Sequence, residues 1–241
     1  AGQVVIDTVR ADRLELGDMI PGKPIWDTVD YAKDVPKSTL ERFTLDPRSA
    51  SFVSKTRLSE RGLDFPIVNR RVSCAEHRYI WANTGCSKDG PAPPQGIMKV
   101  DTTDPTSEQV WLPEPHEFCG EPCFAARAGK EDDKSTAEDD GYILSLMTNG
   151  KTQDSSLIVL DAADIAKGPI AKVPVGVNMP HGLHGCWVPG NVGGSTPEQL
   201  VNANVLLKLY MRKSKEWNQV DASFSGMGIG QFFGQKGMDG R

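Results

Sequence analysis

Four histidines, His77, His116, His181 and His184, carry the side chains best suited to hold a transition metal. Imidazole serves iron, copper and zinc. His181 stands three residues before His184, a spacing that allows a local pair. His77 precedes Arg78 and Tyr79 in a strand-like run and reads as a structural or surface histidine. His116 sits beside Pro113 and Pro115 and reads the same way. The five cysteines, Cys74, Cys86, Cys119, Cys123 and Cys186, are odd in number and irregular in spacing. They make a poor disulfide framework and point to a reducing compartment. Cys119 and Cys123 lie four apart, but no second pair has ligand-like spacing, which argues against a zinc site.

The elements that must position these groups are short and extended. Gln3 to Val9, Leu40 to Leu45, Phe52 to Leu58 and His77 to Ala82 each read as a strand. So do Ile97 to Asp101, Val110 to Leu112, Cys123 to Ala126, Tyr142 to Thr148, Leu157 to Asp161 and Val173 to Val175. Glycines (24) and prolines (17) are abundant and punctuate them. Many short strands separated by turns predict a sandwich, barrel or propeller. Residues 12–40 are irregular. Residues 129–140 are polar and acidic, and 130–136 read as a solvated loop.

The bulk properties exclude several roles. The 241 residues carry a net charge of -5. That argues against nucleic acid, which demands a basic face. Mean hydropathy is -0.39, and no run reaches the roughly 18 apolar residues of a membrane-spanning helix. The chain opens at Ala1 without a methionine or an apolar signal segment, so any targeting peptide is removed or lies outside it.

The character changes after Trp187. Residues 189–196 read as a Gly/Ser/Thr linker. Ser195 and Glu198 have capping-box spacing around Pro197, and residues 197–218 are predicted to be an amphipathic helix. Leu200, Leu207, Met211 and Trp217 fall near one face of it. Residues 219–241 form a Gly-rich tail with Phe232 and Phe233. The four helix side chains are expected either to pack on their own domain or to dock on a partner, and the tail with Phe232 and Phe233 is expected to be disordered or laid along another surface, such as a docking partner's.

Five stretches then resemble the carotenoid cleavage oxygenase family, in the family's order: LSERGLDFPIVNRR (58–71), EHRYIWA (76–82), MKVDTT (98–103) with Trp111, GEPCFAARAG (120–129) with EDDGYILSL (138–146), and SSLIVLDAADIAKGPIAKV (155–173) with MPHGLHGCW (179–187). The resemblance implies an all-β fold in which residues 1–188 supply the last three to four blades of a seven-bladed β-propeller. It also implies a ferrous iron held by four histidines on the propeller axis, with glutamates accepting hydrogen bonds from the ligand imidazoles. His184 falls on the fourth ligand. Glu138 falls on one of those glutamates, and Asp64, one methylene shorter, on another. The other three histidine ligands would lie upstream of the GQVVID segment, so this chain alone is expected to bind no iron.

The implied activity is cleavage of a conjugated double bond in a carotenoid or apocarotenoid with dioxygen, in a plastid or the cytoplasm. The implied partner is the N-terminal half of the propeller. The alternative is a non-catalytic homologue serving as a structural or accessory subunit of a larger complex, such as a plastid pigment–protein complex, that covers the exposed strand edges.

Overall fold

The computed structural model describes residues 2–13, 35–104, 106–177, 179, 182 and 184–187. His181, the linker, the amphipathic helix with Leu200, Leu207, Met211 and Trp217, and the tail with Phe232 and Phe233 lie outside the described residues.

Twelve strands run in chain order among the described residues: β1 (Val4–Ala11), β2 (Ser38–Asp46), β3 (Ser51–Ser59), β4 (Leu63–Ile67), β5 (Tyr79–Thr84), β6 (Gly96–Asp101), β7 (Gln109–Trp111), β8 (Glu117–Cys119), β9 (Cys123–Ala126), β10 (Gly141–Asn149), β11 (Ser155–Asp161) and β12 (Pro169–Pro174). Short 3₁₀ turns at Arg70–Val72 and Ile165–Lys167 complete the inventory. The predicted strands all form. Two that the sequence reading passed over, β4 and β8, form as well.

The strands build three antiparallel sheets in the orders β1-β2-β3, β4-β5-β6-β7 and β8/β9-β10-β11-β12. Each sheet is a meander of consecutive strands. In the third, β8 and β9 share one edge. Both pair with β10, through Cys119↔Met147 and Cys123↔Leu144, and Gly120, Glu121 and Pro122 interrupt the line between them. Proline has no N–H to give a ladder, which favours such a break.

The sheets stack in chain order, and strand alternation in the middle sheet shows how. Successive side chains of a strand point to opposite faces. On β5, Ile80 and Ala82 pack with Leu40 and Leu58 of the first sheet, while Trp81 packs with Ile143, Met147, Ile158 and Leu160 of the third. On β6, Met98 and Val100 face the first sheet and Ile97 the third. The middle sheet is therefore buried on both faces, as a blade between blades must be.

Polar contacts join neighbouring sheets. Asp7 on β1 accepts from Arg42 at 2.7 Å and meets His77 Nε2 at 2.7 Å, tying the first sheet to the second. Lys99 donates to Asp139 at 2.7 Å and to the Ala163 carbonyl at 3.0 Å, and its ammonium lies 4.1 Å from the Tyr79 ring centroid. Trp81 Nε1 donates to the Ala162 carbonyl at 3.2 Å.

Candidate functional site

His184 lies where the first strands of the second and third sheets approach one another. Its ring meets Phe65 of β4 edge-on, with centroids 5.7 Å apart and planes at 88°. Its Nδ1 lies 3.4 Å from Glu121 Oε1, and the neighbouring Gly185 N–H donates to Glu121 Oε2 at 2.7 Å. One carboxylate thus grips both the imidazole and the backbone beside it. Glu121 is well covered, with its side chain 18% exposed, whereas that of His184 is 68% exposed.

Local sequence explains both approaches. β4 carries a register shift between Asp64 and Ile67. Phe65 there adopts a φ of 50°, a conformation that costs a non-glycine residue energy and collects at functional sites. The kink aims Phe65 at His184. Asp64 Oδ1 accepts the Phe65 N–H at 2.8 Å and so caps the kink. The interruption at Gly120, Glu121 and Pro122 plays the same part in the third sheet. Gly120 is fixed there by its N–H to Leu146 O at 2.7 Å and by Ser145 Oγ donating to its carbonyl at 2.8 Å. An acidic residue one or two places ahead of a proline stands at both irregularities, within β4 and after β8.

The three predicted site residues therefore do different things. His184 is at the meeting point. Asp64 is next in sequence to Phe65, which touches His184, but its carboxylate, on an exposed residue, serves the Phe65 amide. Glu138 holds the second sheet. Its two oxygens accept the Arg78 N–H at 3.0 and 2.9 Å, and Oε1 also takes the Tyr79 N–H at 2.8 Å. It fastens the start of β5 to the acidic segment, which is less free than a solvated loop. Arg71 donates there to the carbonyls of Asp133, Thr136 and Ala137.

The carboxylate beside the imidazole is Glu121, which the sequence reading missed. The signal was present in GEPCFAARAG, where an acid precedes proline as in LDFPIV. Of the remaining histidines, His77 is engaged with Asp7, and the His116 carbonyl accepts the Gly150 N–H at 2.8 Å.

Among the described residues no group of three or more His, Cys, Asp or Glu side chains converges to hold a metal. His184 itself fits the task of one iron ligand. A carboxylate at Nδ1 fixes the ring and its tautomer, and Nε2 is left for a metal. One imidazole does not make an iron site, and the described residues fall short of a complete one.

Beside His184 lies a cavity of about 320 Å³, bordered by Leu144 and Leu146 of β10, Leu157 of β11, Met179 and Trp187. It is set against the face of the third sheet that points away from the second. Cys123 and Cys186 border it too. Burial pushes the Cys123 thiol up from its ordinary value, and the charges of Glu121 and Cys186 push it the same way.

Stacked antiparallel meanders of this kind define part of a β-propeller. The family model of the retinal pigment epithelial membrane protein, RPE65, matches residues 1–189. The chain belongs to that family and is carotenoid cleavage oxygenase-like.

It is 37% identical over 148 residues to an apocarotenoid-15,15'-oxygenase of Synechocystis, covering 61% of this chain and 29% of the relative. It is 30% identical over 171 residues to a chromoplastic zeaxanthin 7,8(7',8')-cleavage dioxygenase of Crocus sativus, covering 68% of this chain and 44% of the relative. Among solved structures, the cobalt-substituted Synechocystis apocarotenoid oxygenase superposes with a TM-score of 0.70 at 30% identity, covering 78% of this chain and 37% of that one. The chain thus spans less than half the length of these relatives.

Proposed function

We propose that this chain forms the C-terminal blades of an iron-dependent oxygenase that cleaves a conjugated double bond of a carotenoid or apocarotenoid. In the complete propeller His184 is one imidazole ligand of the iron, and Glu121 orients it. The observation that carries this reading is the Glu121 grip on His184 Nδ1 and on the Gly185 amide.

The iron, when bound, supplies activation of dioxygen, so that one carbon–carbon double bond and one O2 become two carbonyl groups. This chain's residues hold the ligand and shape the surroundings. Glu121 keeps the imidazole in one tautomer, so that Nε2 carries no proton and would be free to hold the metal. Phe65 packs against the ring from β4 and limits its rotation. Leu144, Leu146, Leu157 and Trp187 offer apolar walls that a polyene can lie against without desolvating polar groups. The remaining ligands come from the rest of the propeller, which also covers the open faces of the end sheets. The chromoplastic relative supports a plastid as the compartment.

The test is the complete protein with His184→Ala. The expected result is loss of bound iron in elemental analysis, together with loss of aldehyde products from an apocarotenoid. Iron occupancy equal to that of the wild type overturns the ligand assignment.

A further inference from the structure

Cys123 and Cys186 stand in a relation that the oxygenase reading does not use. Glu121 holds His184 and Gly185. Two residues beyond Glu121 is Cys123, the first residue of β9, and two residues beyond His184 is Cys186. The two segments therefore lie together, and each presents a thiol at the same offset from the contact that joins them. Both cysteines border the cavity beside His184, and both also border a second cavity, of about 690 Å³, on the side of Arg70 and Phe124. Two side chains that line the same two cavities stand on the ridge between them. Both are free thiols. The other three cysteines are placed differently. Cys119 is buried among the core side chains, and Cys74 and Cys86 are exposed residues that border neither cavity.

We infer that Cys123 and Cys186 form a reversible disulfide that fastens residues 184–187 to β9. The oxidant is a small-molecule disulfide of the glutathione class. Cys186 is exposed and reacts first. Its sulfur attacks the small disulfide, forms a mixed disulfide and releases one small thiol. The Cys123 sulfur then attacks Cys186 Sγ and releases the second small thiol. The protein loses two hydrogen atoms and two electrons, and the oxidant gains them as two thiols. A thiol reductant reverses both steps. In the reduced state Glu121, two residues ahead of β9, ties the segment there through the hydrogen bonds described. In the oxidised state a covalent link two residues away does so as well, and His184 is held against Glu121 more firmly. The pairing depends on the packing of residues 184–187 and not on iron, so it stands or falls separately from the oxygenase reading.

The test equilibrates the complete protein with mixtures of oxidised and reduced glutathione, quenches with acid and maps peptides without reduction. The expected result is a linked Cys123–Cys186 peptide and loss of two of the five thiols of residues 1–241, restored by reductant. Amide exchange at residues 184–187 is expected to slow in the oxidised form. Cys186→Ser, at an exposed position, should abolish both the linked peptide and the slowing. Cys123→Ser should leave a glutathione adduct on Cys186. Glutathione adducts on wild-type Cys186 with no linked peptide would falsify the inference, and so would a linked peptide with unchanged exchange at 184–187.

Discussion

Glu121 and Glu138 are both glutamates in stretches that carry the family resemblance, yet their carboxylates work on different substances. Glu121 meets an imidazole, and Glu138 meets two backbone amides. Substituting each with glutamine should separate the two roles. Glu121→Gln keeps the shape but replaces one acceptor oxygen with an N–H donor. In the complete protein it should weaken iron binding about 10–100-fold, the usual cost of losing a carboxylate behind a ligand histidine. A chelator competition measures it, and the melting temperature should move little. Glu138→Gln should leave iron binding near the wild-type value but destabilise the chain by about 1–3 kcal/mol, since amides at the start of β5 lose an ionised acceptor. Denaturant unfolding reads that effect. His184 was legible in the sequence as a candidate ligand because its flanking residues carry the resemblance. Its carboxylate partner was not, because Glu121 and Glu138 both sit in matching stretches, and only the break at Pro122 decides which one turns towards the histidine.

Strands announce themselves by alternation and β-branched content, and ten of the twelve did so here. β4 and β8 did not, for one physical reason. Each is a first strand made irregular near an acid and a proline, β4 by the register shift across Asp64, Phe65 and Pro66 within it, and β8 by Gly120, Glu121 and Pro122 beyond its end. Those interruptions erase the period-two pattern in the same places where they position the site. The seam between the second and third sheets tests the packing. Lys99 is 4% exposed and spends its charge on Asp139. Lys99→Met strands that carboxylate and should cost about 3 kcal/mol of stability, with Asp139→Asn in the same chain recovering part of it. β9 lies against Gly141 so closely that an added Cβ would stand 2.6 Å from the Ala125 carbonyl and 2.5 Å from the Phe124 ring. Gly141→Ala should push β9 off β10 and, by moving the base of Glu121, loosen the His184 segment. Faster amide exchange in both segments checks it.

Across the whole molecule, pH acts on two groups in opposite directions. The Arg78 guanidinium forks onto Asp101 and, with Thr103, holds that carboxyl well below the ordinary carboxylate range. A depressed carboxyl contributes stability that is fully present above its unfolded value of about 4 and is lost as pH falls towards the folded one. Asp101→Asn should therefore flatten the acid limb of the stability–pH curve, modestly, because Arg78 is half-exposed and screened by salt. Burial pushes the Cys119 thiol up to about 12. A raised thiol contributes stability that is present below its unfolded value of about 8.5 and fades as pH climbs towards the folded one. Cys119 should also resist alkylation at pH 8 until the chain unfolds, while the exposed Cys74 and Cys86 react at once.

The middle sheet, covered on both faces, also has a temporal consequence. Each sheet closes its ladders among consecutive strands, and among the described residues each packs on its neighbour in the stack. Such an array resembles a row of repeats, in which stability divides into intrinsic and nearest-neighbour parts. Loss of the first or third sheet breaks one interface, whereas loss of the middle sheet breaks two. In the chain taken without the rest of the propeller, opening should therefore begin at an end of the row and reach Ile80, Trp81 and Met98 last, so these amides should set the slowest exchange rates among the described residues.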